Sequence, residues 1–207
     1  MSDILYDAAF KYETMIGKGY HIVVGRKCKE YPIQLRFTQD AFFHLVGLQH
    51  LTDITFSSTN KERVYKEILL GNITAEMIKK SIFYDDFYIE ERIVNLFRLE
   101  EMIDSCQFLF LINHQEYIKY TKIYADYLCE YLLPENREDC LYFFCVKNTR
   151  PKIENECGGC SFFKRHTIDF RRGTSETKLL LNEKINNVGQ KEEFVTEIYR
   201  HPKYAVI

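Results

Sequence analysis

The hydrophobic period of this chain changes near residue 105, and that change limits the fold more than any other feature. Residues 3–16 place Ile4, Ala8, Tyr12 and Met15 three and four apart and stop at Gly17 and Gly19, the pattern of an amphipathic helix closed by glycine. Thr38 stands as the N-cap of a helix over 39–51, a further helix covers 61–70, and Thr74 caps a short one through about residue 81. Residues 89–104 carry Ile89, Ile93, Leu96 and Phe97 on helical spacing with charges opposite. Beyond 105 the apolar residues come instead in aromatic runs, at 106–112, within 118–132 and at 141–146, with shorter strands expected at Phe162-Phe163 and 178–181. A hairpin at 20–25 and 32–37 precedes the helices, and the tail over 192–200 reads as weakly helical. The pattern predicts an α+β fold. A helical layer over 39–104 packs on one face of an antiparallel sheet that joins the hairpin to the strands of 106–146. With no repeat and no linker, residues 1–207 are expected to form a single domain.

The longest apolar runs fall far short of the roughly 20 residues a membrane span needs. The N-terminus has Asp3 and Asp7 and no basic stretch before an apolar one, unlike a secretory signal. A cytoplasmic location and no membrane partner are expected. Seven scattered Cys agree with free thiols in a reducing compartment. The net charge of -2 hides two segments of +4, residues 18–36 and 147–207, around an acidic segment of -8 over 85–139. If the basic segments meet, they form the cationic face that phosphate-backbone binding requires; the alternative is that their Lys residues solvate strand edges.

Cys157-Gly158-Gly159-Cys160 has CxxC spacing, but zinc needs a second ligand pair and a redox site needs a helix starting at the first thiol. A Gly-Gly turn flanked by two thiols is the preferred reading, with no metal and no cofactor. Walker, GxGxxG, HExxH and GxSxG motifs do not occur. His44 and His50 lie in the apolar stretch FFHLVGLQHL. A histidine on such a face is commonly a hydrogen-bonded core residue. The opposing signal is Gly47, costly inside a helix unless something approaches the backbone there, beside a side chain suited to proton transfer at neutral pH.

The block Phe42 to Ile54, FFHLVGLQHLTDI, resembles that of the phage-associated barnase, EndoU, colicin and RelE-like nuclease families, most closely the fourth group. The order of neighbouring blocks also fits: the hairpin ending at Arg36-Phe37, the segment RIVNLFRLEEMIDS, Ile123 to Leu128, the Ser161-Phe162-Phe163 strand and Leu179 to Ile185, over about residues 20–187. The resemblance implies a barnase-like helical layer on an antiparallel sheet, encoded by a phage or mobile element. It also implies metal-independent cleavage of RNA by attack of the 2'-hydroxyl on the adjacent phosphate. His44 and His166 would then transfer protons, Ser161 would contact the phosphate, and Lys164, Arg165, Arg36 and Lys178 would bind RNA. RNA is the expected partner, together with an inhibitor or partner protein. The competing expectation is a catalytically inactive interaction module that keeps the fold.

Overall fold

The structure is a computed structural model that describes residues 3–56, 59–105, 109–188 and 193–204. Helix α1 (Ile4–Ile16) opens the chain, with the Asp3 side chain accepting from the N–H groups of Leu5 and Tyr6. Strands β1 (Lys18–Arg26) and β2 (Lys29–Arg36) form the expected hairpin. Both of its turn residues, Lys27 and Cys28, take left-handed φ of 49° and 59°, which suits the twist of a two-residue hairpin. Four helices follow: α2 (Gln39–Leu45), α3 (Lys61–Leu69), α4 (Ala75–Ile78) and α5 (Ile89–Leu96). Then come α6 (Leu99–Asp104), β3 (Leu109–Ile112), α7 (His114–Tyr117), β4 (Tyr127–Leu133) and β5 (Asn136–Lys147). The remaining elements are β6 (Glu156–Lys164), β7 (Thr174–Glu176), β8 (Lys178–Asn186) and β9 (Phe194–Arg200).

Among the described residues the fold is mixed α/β, with seven α-helices and one nine-stranded sheet ordered β7-β3-β4-β5-β6-β2-β1-β8-β9. The hairpin and the strands up to β5 share this sheet. It is larger than the sheet anticipated and not wholly antiparallel, because β2 and β6 run parallel over Gln34–Arg36 and Glu156–Gly158. The aromatic runs follow from burial on both faces. On β5, Leu141, Phe143 and Cys145 join the core under the helices, while Cys140, Tyr142 and Phe144 join a second cluster on the opposite face with Tyr117, Ala125 and Phe163. A strand covered on both sides loses the polar alternation of a half-exposed one, and each fully buried Phe contributes about 1.5–3 kcal/mol.

Several local expectations are corrected. The helix expected over 39–51 ends at Leu45, and Gly47, at φ 82°, starts a 3-10 turn over Leu48–His50. Thr38 occupies the cap position of α2 without a side-chain cap bond, whereas Thr74 does accept from Met77 N. The single helix expected over 89–104 is two, with the chain turning at Phe97-Arg98. The tail is strand β9. Its Glu197–Arg200 pair at 2.6 Å has helical spacing, but pairing with β8 supplies hydrogen bonds that a short isolated helix lacks. The Cys157–Cys160 segment is strand, not turn. Gly159 is needed there because a Cβ would lie 2.7 Å from the Phe143 ring and 3.3 Å from Leu45 of α2, which pack directly on the backbone. Cys106, expected to start a strand, lies outside the described residues, as does residue 192 of the tail.

Candidate functional site

Strand β6 has two neighbours only along its first residues. Beyond Gly158 it pairs with β5 alone, and α2 and α5 pack against it. Where β5 places Phe144 and Cys145 in succession, β6 places Ser161 and Gly159, so Cys160 is the extra residue of a bulge. The bulge turns Ser161 to the same face as Cys160, as bulges commonly re-aim side chains beside sites. Against the unpaired edge lies Arg92 of α5. Its Nη1 donates to Phe162 O at 3.2 Å, its Nε donates to Phe87 O at 3.0 Å, and its guanidinium sits 4.8 Å from the centroid of the Phe163 ring.

These elements enclose a cleft of about 560 Å³. One wall holds Gln49, His50, Phe87, Tyr88 and Arg92; the other holds Tyr124, Ser161, Phe163, Lys164 and His166. The two imidazoles rest on consecutive aromatic residues. His50 stacks on Phe87 with centroids 4.2 Å apart, and His166 stacks on Tyr88 at 3.9 Å. His166 Nε2 lies 2.9 Å from Glu91 Oε1; donation to this carboxylate orients the ring and leaves Nδ1 as the basic nitrogen. Burial, Arg92 and His44 together hold His50 down at about 4, so it is neutral at pH 7. Gln49 Nε2 is 3.2 Å from His50 Nε2; the amide donates, and the neutral ring therefore carries its proton on Nδ1. Burial lowers Arg92 to about 10, still charged at pH 7.

Of the residues singled out from sequence, Ser161, Lys164 and His166 line the cleft. His44 does not. Its Nε2 lies 2.6 Å from Lys61 Nζ on α3, and burial followed by the Lys61 charge lowers its pKa, so its lone pair is already engaged by an ammonium. Arg165 turns away to donate to Glu138 O at 2.8 Å. Arg36 is half-buried on β2, its guanidinium lowered by burial, and Lys178 is exposed at the start of β8. Gly47 marks a close approach, as its position implied: a Cβ there would lie 2.9 Å from both Arg92 Cδ and Ile89 Cδ1. The approaching groups are Arg92 and Ile89 of α5.

The two basic segments do meet, since β6, β2, β1 and β8 are consecutive in the sheet. The acidic segment meets them as well. Lys184 pairs with Glu100 at 2.9 Å and Asp104 at 2.7 Å, Lys164 with Asp139 at 2.8 Å, and Arg171 with Glu130 at 3.6 Å. The segments therefore meet, but acidic partners neutralise part of their charge, with a charged cleft at one fork of the sheet.

Cys157 faces the helix-covered core and Cys160 packs against the opposite cluster, so the two thiols cannot hold one ion together. Among the described residues no three His, Cys, Asp or Glu side chains gather as metal ligands would, and no helix is long and apolar enough to cross a membrane. Burial pushes both thiols up to about 12, the opposite of what a reactive cysteine requires.

Sequence reading missed His50 and Arg92 as site residues. The signal for Arg92 was present: it falls three residues after Ile89 and four before Leu96, a cation inside the apolar stripe of α5, where it is 9% exposed. The stacked roles of Phe87 and Tyr88 had no such signature.

A family model described as phage-Barnase-EndoU-ColicinE5/D-RelE like nuclease4 matches residues 4–204. The chain belongs to this family, and with it to the phage-associated nuclease-like proteins. No curated protein and no solved structure matches the chain.

Proposed function

We propose that the cleft binds RNA and cleaves it without a metal, by attack of a 2'-hydroxyl on the adjacent phosphate. The observation that carries this reading is the convergence of His166, Arg92, Ser161 and Lys164 on one cleft. His166, oriented by Glu91, takes the 2'-hydroxyl proton at Nδ1. The Arg92 guanidinium and the Nδ1–H of neutral His50 face the charge that develops on the phosphate oxygens. Ser161 and Lys164, which line the same cleft, are the donors for the leaving oxygen and for contact with the phosphate. His44, first taken as the proton carrier, keeps a structural role through Lys61. Arg165, Arg36 and Lys178 act at most on flanking RNA, outside the cleft. The family name supports a barnase-like arrangement of helices on the sheet, and the free thiols of the six described Cys residues suit a reducing, cytoplasmic setting in a cell that carries the phage or mobile element.

The test is cleavage of single-stranded RNA and of its all-2'-deoxy counterpart with a chelator present. Cleavage of RNA alone, reduced roughly 10²- to 10⁴-fold by His166→Ala, supports the reading. Equal cleavage of both strands would refute 2'-hydroxyl attack. A second reading is a catalytically inactive module that binds a partner or inhibitor protein, favoured by the pairing of Lys164 with Asp139. It predicts no cleavage of any RNA and no affinity for polyanions at low salt.

A further inference from the structure

Tyr124 is held rigidly and yet left open. Its ring lines the cleft and is 70% exposed. One face is covered by His114, whose ring stacks at 4.8 Å with planes 21° apart. His114 Nε2 is fixed 3.1 Å from Asp126 Oδ1, and Asp126 Oδ2 accepts from Lys147 N at 2.7 Å. The Tyr124 backbone is held against β6 as well, its carbonyl accepting from Cys160 Sγ at 3.6 Å. A ring backed on one side, open on the other and pinned at its main chain is a stacking platform with little freedom left to lose when a flat group lands on it.

The cleft's remaining chemistry narrows what that flat group is. Arg92 and Lys164 supply positive charge to the same space, and Asp86 supplies an acceptor for N–H donors. A nucleotide offers all three complements at once, a π face, an anion and exocyclic N–H groups. An aromatic peptide side chain lacks the anion. We infer that Tyr124 stacks the base of the nucleotide whose phosphate enters the cleft. The substrate is then single-stranded, because a base paired in a duplex has no free face to give. This inference rests on the proposed nuclease reading but makes a separate claim about binding.

The experiment titrates AMP, GMP, CMP and UMP, and base-free ribose 5-phosphate, into the full chain, following affinity by calorimetry. At least one nucleotide is expected to bind better than ribose 5-phosphate, roughly 5- to 150-fold from stacking on one aromatic ring. Tyr124→Ala removes that advantage and Tyr124→Phe keeps it; because the ring is exposed, both variants are expected to melt as wild type does. Nucleotides that all bind no better than ribose 5-phosphate, or an advantage that survives Tyr124→Ala, would overturn the inference. Binding is read without turnover. RNA cleavage unaffected by Tyr124→Ala overturns the stacking claim alone, while base-dependent binding without cleavage overturns the catalytic reading alone.

Discussion

The imidazole of His166 lies on the ring of Tyr88, with centroids 3.9 Å apart and planes 17° apart. Tyr88 reaches this position by adopting φ 52°, a left-handed conformation uncommon for a non-glycine residue, just before α5 begins. The same turn leaves the preceding Phe87 under His50. One strained residue thus sets the planes of two imidazoles, at a cost of about 1 kcal/mol or more in backbone energy.

Tyr88→Phe is therefore expected to retain RNA cleavage, and Tyr88→Ala to lower kcat about tenfold or more through loss of the stacked orientation. Tyr88 is half exposed, so Tyr88→Ala should leave most of the stability intact. Unchanged kcat in Tyr88→Ala, measured beside a thermal melt, would show that the stacking does not orient His166.

His50 gives a prediction in pH. Burial, Arg92 and His44 hold it at about 4, below its ordinary 6.5. Between these values the unfolded chain takes up a proton that the native ring resists, so this residue's contribution to stability is present above 6.5 and is lost as pH falls toward 4. An NMR titration of the His50 ring should give a midpoint near 4, moving upward in Arg92→Met. A wild-type midpoint near 6.5 would contradict the neutral, Gln49-bound ring.

Gly47 gives a prediction in stability. Its φ of 82° and the 2.9 Å approach of Arg92 and Ile89 act together against any side chain. Gly47→Ala is expected to destabilise the protein by roughly 2–4 kcal/mol, from left-handed strain plus overpacking. Denaturant unfolding checks this, and a change below about 0.5 kcal/mol would mean that the close approach relaxes freely.

Most of the elements could be read from the chain because their signals are local: the hairpin of β1 and β2, the capped start of α4, and the aromatic runs of β4 and β5. What could not be read depended on distant partners. β9 is a strand because β8 lies beside it, and Gly159 stands in a strand because Leu45 and Phe143 press on its backbone. In the site, Ser161, Lys164 and His166 were legible as a polar, basic cluster close together in sequence. The choice of His44 over His50 was not, because both occur in one apolar stretch. The end of α2 at Gly47 and the contact with Lys61 separate their roles, and neither has a local signature.

Helix α6 meets β1 and β8 through a cluster of ion pairs. Glu100 takes an ion pair from Lys18, one from Lys184 at 2.9 Å and one from Lys11 at 3.4 Å. Beside it Asp104 accepts from Lys184 at 2.7 Å and from the Tyr20 hydroxyl at 2.7 Å. Burial alone would push the Glu100 carboxyl up. The hydrogen bonds and charges of Lys18 and Lys184 outweigh burial and hold it at about 2, against an ordinary 4.5. A carboxylate depressed in the native state contributes stability that is complete above its unfolded pKa and is lost as pH falls through the folded one. The relevant window therefore runs from about 4.5 down to about 2. Glu100→Gln should cost roughly 1–3 kcal/mol at pH 7, since it removes the charge and leaves Lys18 without its carboxylate. Urea unfolding of both proteins at pH 7, 5 and 3.5 is expected to show equal gaps at the first two and a narrower one at the third. A gap that keeps its full size at pH 3.5 would place the effect in packing. Lys18 and Lys184 belong to the two basic segments, and the geometry commits them to holding α6 against the sheet.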